Sequence, residues 1–396
     1  MPPVEFLIFG VTLAGVALFH RQSLPIAAAG LAAVIACGWL VTSFPPGPGA
    51  AGLATHFAHE WVILVNLLLL LVGFALLAAH FEASGLPKIL PAWLPDNWTG
   101  AFALLAIVFV VSGFLDNIAA ALIGGAMAYT LFRGRVRVGY LAAIVAAANA
   151  GGAGSVIGDT TTTMMWISGV PPVEVLHAYI AAGVALLIFG VPAARAQQRY
   201  APIMKDPPRR LHVDWPRVAI VAFILVCAVA ANVGVNAAAP ELSGRFPVIG
   251  AAVAFAIAVT ALWRRPDWSV LPGAVKGSIF LLCLVASASL MPVDSLPAPS
   301  LQSAFALGFV SAFFDNIPLT ALALKQGGYD WGVLAYAVGF GGSMLWFGSS
   351  AGVAISNMFP EARSTGRWLR EGWPVAVAYV AGFAALILVL GWNPHS

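Results

Sequence analysis

The heptapeptide SGFLDNI at residues 112–118 recurs as SAFFDNI at residues 311–317, with five of seven positions identical. A second match follows each copy in the same order, GGAGSVIG at 151–158 and GGSMLWFG at 341–348. Each motif alone is short, but two matches in the same order in the two halves of one chain indicate an internal duplication. The sequence therefore predicts two structural repeats.

The composition places these repeats in a membrane. Of the 396 residues, 61% are hydrophobic and only 9% are charged, whereas about a quarter of the residues in soluble domains are charged. Apolar runs of about 16 to 25 residues recur along the chain, which is the length that crosses a hydrocarbon layer about 30 Å thick. We therefore predict an all-α, polytopic membrane protein surrounded by lipid. The basic residues lie in short loops, which topology explains better than nucleic-acid binding.

The apolar runs group into twelve pieces, six on each side of a basic, proline-rich segment. This segment, residues 196–216, is predicted to be a cytoplasmic linker because its charges and prolines do not fit in lipid. The first repeat then covers residues 1–195 and the second repeat covers residues 217–396.

Two pieces of each repeat do not fit as single helices. The fourth pieces, residues 101–132 and 300–325, carry Asp-Asn near their middle and are interpreted as re-entrant hairpins with Asp-Asn at the tip. The fifth pieces, residues 138–167 and 331–356, are interrupted by glycine-rich stretches. They are interpreted as broken helices, which are tolerated at membrane depth around a binding cavity.

On this interpretation each repeat crosses the membrane five times, for about ten transmembrane helices in all. Five is an odd number, so the second repeat is predicted to be inverted relative to the first. Lysine and arginine accumulate on the cytoplasmic side of short loops. All but two of the nineteen lysines and arginines, namely Arg245 and Lys325, fall on one predicted side. We therefore expect both termini to be periplasmic in a bacterial-type inner membrane.

Acidic residues inside the apolar pieces are candidate functional groups, because an ionisable side chain at membrane depth costs several kcal/mol unless it faces protein or water. Asp116, Asp159 and Asp315 are such residues. An alternative interpretation is that each aspartate only caps the start of a helix. Capping and ion binding are compatible. If the hairpin tips converge, Asp116-Asn117 and Asp315-Asn316 meet near the membrane midplane.

Carboxylate and amide oxygens suit a hard cation such as sodium, and a carboxylate can take a proton instead. Competition between proton and cation for one site produces exchange. We therefore predict Na⁺ binding at Asp116, Asp159 and Asp315, with Na⁺ and H⁺ as transported ions and no cofactor. Because the two ions compete, activity is expected to rise as protons become scarce.

The segment NAGGAGSVIGDTTTTM at residues 149–164 is a second source of ligands. Its glycines are expected to supply unusual backbone angles and exposed carbonyl groups, and Thr160 and Thr161 to supply hydroxyl ligands. For Thr162 and Thr163 the alternative is a hydrogen bond back to a carbonyl of the preceding turn. The supporting residues predicted around the site are Asn149, Gly151, Gly152, Ser155, Gly341, Gly342, Ser343, Ser349 and Ser350.

At these motifs the chain resembles the ion transporter superfamily, and within it the NhaD-type sodium/proton antiporters and their arsenite-permease relatives. The resemblance is carried by SGFLDNI, SAFFDNIP, NAGGAGSVIGDTTTTMMW at 149–166 and GFGGSMLWFGSSAGVA at 339–354. It implies scaffold and transport domains, hairpin tips that meet broken helices, elevator-like movement and a homodimer. It also implies that the ion-binding positions are Asp116, Asn117, Asp159, Asp315 and Asn316.

Two transport functions stay open. The first is a cation/proton antiporter, for Na⁺ or Li⁺, that works by alternating access. The second is an anion transporter for a di- or tricarboxylate such as citrate, or for arsenite, because the N-termini of half-helices bind anions. Acids at both hairpin tips and the lack of a basic residue in the proposed site favour the cation. An enzyme would need a nucleophile with a base, or a metal cluster, and the sequence suggests neither.

Overall fold

The computed structural model describes residues 3–19, 22–44, 47–204, 212–243 and 245–394. All named secondary structure in this part of the chain is helical. The α-helices before the predicted linker are α1 Val4–Leu18, α2 Ser23–Leu40, α3 Gly49–Ala83, α4 Leu86–Ile89, α5 Trp98–Ser112, α6 Asn117–Leu131, α7 Val138–Ala153, α8 Thr160–Ile167, α9 Pro172–Leu176 and α10 Ala178–Tyr200. Those after it are α11 Trp215–Ala238, α12 Pro240–Ser243, α13 Val248–Ala261, α14 Leu271–Ser289, α15 Leu301–Ser311, α16 Asn316–Gln326, α17 Trp331–Gly341, α18 Ser350–Met358 and α19 Thr365–Leu390.

Six helical segments among the described residues are long and apolar enough to cross a membrane. They are Ser23–Leu40, Gly49–Ala83, Pro172–Tyr200, Trp215–Val235, Trp268–Ser289 and Thr365–Leu390. Several shorter apolar helices accompany them. Since a lipid core provides no water to backbone polar groups, helices satisfy these groups internally. The chain is therefore a multi-pass membrane protein.

The segment between the helices α10 and α11 is shorter than the predicted linker, residues 196–216. The helix α10 continues to Tyr200, and α11 already begins at Trp215. Residues 205–211 of the predicted linker lie outside the described residues. The helix α10 continues past residue 195 because alanine, glutamine and arginine are good helix formers. Loss of hydrophobicity after residue 195 therefore marks the end of the apolar run and not the end of the helix.

The chain folds into two compact units, and each unit contains segments from both predicted repeats. The first unit comprises Met1–Leu77, Ile220–Pro299 and Ile317–Gly327. The second unit comprises Ala78–Ala219, Ser300–Asn316 and Gly328–Ser396. Each predicted repeat is one continuous stretch of sequence, whereas each compact unit combines separate segments that pack together.

In the first unit, α1 packs on α2, and α2 packs on α14. A buried amide joins α3 to α13, since Asn66 Oδ1 accepts a hydrogen bond of 2.9 Å from the backbone N–H of Gly250. Lys325 donates to the carbonyl groups of Ser289 and Met291 at the C-terminal end of α14. Such interhelical hydrogen bonds are the ordinary role of polar residues inside membrane helices.

The core of the second unit is formed by α7 and α17, and every residue of both helices is buried. The sequence of α7, VGYLAAIVAAANAGGA, is apolar or small on all faces, as expected of a helix surrounded by other helices. The helix α7 packs against α5, α6, α10 and α19, and α17 packs against α7, α15 and α19. The chain breaks that follow these two buried helices lie in the site described below.

The two copies of the repeated motif make equivalent contacts. Ser112, the first residue of SGFLDNI, donates from its hydroxyl group to the carbonyl of Ala148 at 2.6 Å. Ser311, the first residue of SAFFDNI, donates in the same way to the carbonyl of Val338 at 2.7 Å. Each serine thus fixes the end of its helix against the neighbouring buried helix, α7 or α17.

Candidate functional site

The site lies in the second unit, where four α-helices begin. Residues 113–116 separate α5 from α6, and residues 312–315 separate α15 from α16. Residues 154–159 separate α7 from α8, and a 3-10 turn with residues 345–349 separates α17 from α18. These interruptions fall inside the segments predicted as hairpins and broken helices.

Two of the predicted acids cap these helix starts. Asp116 Oδ2 accepts a hydrogen bond of 3.1 Å from the backbone N–H of Ile118 at the start of α6. Asp159 Oδ1 accepts one of 3.2 Å from the backbone N–H of Thr161 at the start of α8. A carboxylate has about four lone-pair positions, so one capping bond leaves acceptor capacity for an ion. The capping interpretation therefore holds for both residues without excluding ion binding.

Asn149 connects the two halves of the site. Its side chain is fully buried, and its Oδ1 accepts a hydrogen bond of 3.0 Å from the amide of Asn117. Its Nδ2 donates to the hydroxyl groups of Ser343 at 2.9 Å and Ser349 at 3.1 Å. The sequence identified all four residues, but their mutual contacts across the chain depend on the tertiary structure.

A second set of contacts joins the remaining acids. The amide of Asn316 donates to Asp159 Oδ2 at 3.3 Å, and the hydroxyl of Ser350 donates to Asp315 Oδ2 at 2.8 Å. Asp159 is only 2% exposed, while Asp116 and Asp315 are half-buried. Asp116 adjoins Asn117 and Asp315 adjoins Asn316 along the chain, so each acid is next to a residue of these hydrogen bonds. Every acid proposed from the sequence therefore belongs to one cluster.

The hydrogen bonds link all four helix N-termini. Asn117 of α6 is bound through Asn149 to Ser349, which caps α18. Ser350 of α18 is bound to Asp315, which directly precedes α16. The first residue of α16 is bound in turn to Asp159, which caps α8. Each helix N-terminus carries a partial positive charge, so the cluster combines carboxylates with four helix dipoles.

The predicted threonines divide into two groups. Thr162 donates its hydroxyl to the carbonyls of Ser155 and Asp159, and Thr163 donates to the carbonyl of Val156 at 2.9 Å. The bond from Thr162 to Asp159 follows the alternative interpretation, whereas the bonds to Ser155 and Val156 reach seven residues back into the break between α7 and α8. Thr161 differs, since its buried hydroxyl oxygen has no hydrogen-bond partner of normal geometry among the described residues. Thr160, at the first position of α8, is also buried.

The expected role of the glycines was wrong. Gly151 and Gly152 of residues 149–164 were predicted to adopt unusual backbone angles, but neither has a positive φ, and the same holds for Gly341 and Gly342 in the second copy. The carbonyl of Gly151 is also engaged, because Tyr179 donates its hydroxyl to it at 3.1 Å. Gly151 and Gly341 instead allow close packing against α5 and α15, and Gly152 and Gly342 allow close approach of the residues in the break that follows each helix.

The distances show how close that packing is. A Cβ atom on Gly151 would lie 2.0 Å from the carbonyl oxygen of Phe109, and one on Gly341 would lie 2.3 Å from the carbonyl oxygen of Gly308. On Gly152 and Gly342 it would lie 2.8 Å and 2.7 Å from a backbone oxygen. Small residues at helix interfaces permit such an approach of two backbones.

Two observations concern the predicted ligands. Ser155 donates its hydroxyl to the carbonyl of Gly113 at 2.6 Å, so it ties the break to the α5 end. Among the described residues, no three His, Cys, Asp or Glu side chains are grouped closely enough to hold a metal ion. Sodium binding at Asp116, Asp159 and Asp315 stays a prediction, in which amide, hydroxyl or carbonyl oxygens complete the shell of the ion.

Three residues near the site were missed in the sequence. Ser112 and Ser311 anchor the two Asp-Asn turns to the buried helices. Both open the repeated heptapeptide, which is the signal that marks them. Tyr179 binds Gly151 from α10 and packs against Phe109 with ring centroids 5.8 Å apart. Nothing in the local sequence distinguishes Tyr179 from other aromatic residues of the chain.

Comparisons with known proteins agree with a transport function. A family described as CitMHS, citrate transporter, matches residues 8–341. A protein named sodium/proton antiporter 1 from Arabidopsis thaliana is 26% identical over 439 residues, which cover 97% of this chain and 72% of the relative. The Na(+)/H(+) antiporter NhaD of Alkalimonas amylolytica is 24% identical, covering 96% and 88%. The protein of the same name from Halomonas elongata is 25% identical, covering 82% and 75%.

Proposed function

Because the chain belongs to the citrate transporter family, we propose that it is a secondary transporter that exchanges sodium or lithium ions for protons by alternating access. The observation that carries this proposal is the cluster of Asp116, Asp159 and Asp315 at four helix N-termini that are linked by hydrogen bonds. The relatives named above are sodium/proton antiporters by name. Both the chemistry of the cluster and these relatives support a cation as substrate.

The charges in the cluster suit one monovalent cation. Each of the four helix N-termini carries about half of a positive charge, which gives about +2 in total. Three ionised aspartates carry three negative charges, so the cluster retains about one negative charge. Either one sodium ion or one proton balances that charge. The hydrogen bonds given above join the cluster through amide, hydroxyl and carboxylate groups.

Competition at this cluster would produce exchange. A carboxylate that binds a proton loses its charge and its affinity for sodium, so the two ions occupy the site in turn. The neutralised cluster crosses the hydrophobic barrier at a lower free-energy cost than the charged one. Proton and sodium would therefore move in opposite directions without further machinery.

The proposal includes a finer architecture. We propose two inverted repeats, about ten transmembrane helices, and re-entrant hairpins at residues 101–132 and 300–325. The equivalent hydrogen bonds of Ser112 and Ser311 support the repeats. We also propose a homodimer in a bacterial-type inner membrane with both termini periplasmic.

A second candidate substrate is a di- or tricarboxylate such as citrate, which the family description favours. The four helix N-termini would attract such an anion if the aspartates were protonated. Ionised aspartates would repel it. The two candidates therefore predict opposite effects of pH, since low pH favours the anion and high pH favours sodium.

Everted membrane vesicles with an imposed pH gradient distinguish the two candidates. With a pH-sensitive dye, we expect sodium or lithium to dissipate the gradient and potassium to have less effect. The sodium concentration for half of the maximal response should fall as the pH rises, by up to about tenfold per pH unit, because a proton must leave before sodium binds. Uptake of labelled citrate without any response to these cations would overturn the proposal.

Replacing Asn149 with alanine tests whether the two halves of the site depend on their link. The variant loses three buried hydrogen bonds, at about 1–3 kcal/mol for each partner left unsatisfied, so we expect a lower unfolding temperature and a loss of exchange. Asn66→Ala is the matched control, because Asn66 is also buried and bonded across helices. We expect this control to lose stability but to keep exchange per folded molecule. Equal exchange in both variants would contradict the role of Asn149.

A further inference from the structure

A cavity of about 340 Å³ lies in the second unit among α7, α10 and α19. None of the acids of the cluster described above lines it. Its deep wall includes the buried side chains of Tyr140, Ala143, Phe189 and Val375. The hydroxyl of Tyr140 already donates to the carbonyl of Ala101. The depth of the cavity is therefore apolar.

The outer part of the cavity carries charge. Arg137, Arg370 and Glu371 line it. Glu371 is already engaged, since its Oε2 accepts from the backbone N–H of Gly139 at 3.3 Å and from Nε of Arg137 at 3.4 Å. Glu371 thereby caps the N-terminus of α7 from another helix. Arg370 is exposed, and its guanidinium group has no ion pair with the described residues. The outer part thus has a surplus of positive charge.

An exposed apolar stripe on α19 adjoins the cavity. Leu369, Trp373, Val377 and Val380 of α19 are 52%, 60%, 47% and 44% exposed. Their spacing of three or four residues places them on one face of the helix. Trp373 both lines the cavity and belongs to the stripe. Tryptophan is enriched at the level of lipid headgroups, so the cavity and stripe together match the boundary between headgroups and acyl chains.

We infer that this cavity binds the phosphate headgroup of an anionic phospholipid, with its acyl chains lying along the stripe of Leu369, Trp373, Val377 and Val380. The guanidinium groups of Arg137 and Arg370 contact the phosphate, for which arginine provides several donors in one plane. The adjoining apolar face favours a lipid over a soluble phosphate. The surplus positive charge favours an anionic lipid over a zwitterionic one.

Native mass spectrometry of the purified full-length protein tests this inference with two lipids, phosphatidylglycerol and phosphatidylcholine. We expect phosphatidylglycerol to be retained in preference to phosphatidylcholine. Arg370→Gln should weaken retention of phosphatidylglycerol about fivefold, since each arginine near anionic lipid contributes about that factor. Ala196→Leu, which reduces the cavity without changing its charge, should also weaken retention.

Arg265→Gln is the matched control, because Arg265 is an exposed arginine that does not line the cavity. It should bind phosphatidylglycerol as the wild type does. Equal retention of both lipids, or retention unchanged in both Arg370→Gln and Ala196→Leu, would overturn the inference. Displacement of phosphatidylglycerol by millimolar inorganic phosphate would assign the site to a soluble anion instead and would also overturn it. The readout is lipid binding, so it does not depend on the transported substrate.

Discussion

Replacing Asp116 or Asp315 with asparagine is expected to reduce sodium-driven proton movement at least about 100-fold, which corresponds to a loss of about 3 kcal/mol of binding free energy. Asparagine is as good a helix cap as aspartate, so the hydrogen bond from the N–H of Ile118 to residue 116 can persist. The substitution therefore removes charge and proton binding while keeping the fold. The measurement is dye fluorescence in everted vesicles at several values of pH and equal protein content.

This substitution also decides between the two interpretations of the aspartates. If Asp116 only caps α6, asparagine should be silent. Asp267→Asn serves as the control, because Asp267 caps a helical turn on the surface, where hydrogen bonds from the hydroxyl and the backbone N–H of Ser269 lower its pKa. We expect full exchange in this control. Wild-type exchange in both Asp116→Asn and Asp315→Asn would refute the ion-binding role of these two aspartates.

A second large effect is expected from the glycines at the helix crossings. The variants Gly151→Ala and Gly341→Ala each place a methyl group against a backbone carbonyl, at 2.0 Å from Phe109 and 2.3 Å from Gly308. A backbone oxygen cannot rotate away as a side chain does, so the helices must separate. Overpacking of this kind costs about 1–3 kcal/mol and occasionally more. We expect a marked fall in the unfolding temperature and in the yield of monodisperse protein.

Gly183→Ala is the matched control for these glycine variants. Gly183 lies inside α10, and a Cβ atom there would meet nothing within 4 Å. Because alanine favours a helix over glycine by about 1 kcal/mol, this variant should be as stable as the wild type or slightly more stable. The measurement is thermal unfolding of the purified protein, followed by size-exclusion chromatography. An unfolding temperature unchanged by Gly151→Ala would contradict the packing role of that glycine.

Much of the local structure could be predicted because the chain marks its own helix breaks. Aspartate and serine at Asp116, Asp159 and Ser349 accept backbone hydrogen bonds that a helix start leaves unsatisfied, and each of these residues caps a helix in the structure. Apolar length predicted a multi-pass membrane protein. The ends of polar helices were less accurate. Hydrophobicity does not mark them, as the extension of α10 to Tyr200 shows.

The role of the glycines depended on the tertiary structure. A glycine can be required because the backbone has a positive φ or because two backbones pack closely, and the sequence does not show which reason applies. At Gly151 the second reason applies, because the partner is Phe109 on another helix. The same limit applies to Tyr179, whose importance comes from its position opposite Gly151 and not from its sequence neighbours.

The sequence by itself determined the chemical groups of the site and the helix starts that carry them, because capping and apolar length are local properties. Only the tertiary structure decided which groups meet. Asn149 contacts Ser343 and Ser349, and Asp159 contacts Asn316, across more than a hundred and fifty residues of chain in each case. It also decided the two compact units, each drawn from both halves of the chain. The physical reason is that pairing across such separations depends on how buried helices pack, which no local pattern encodes.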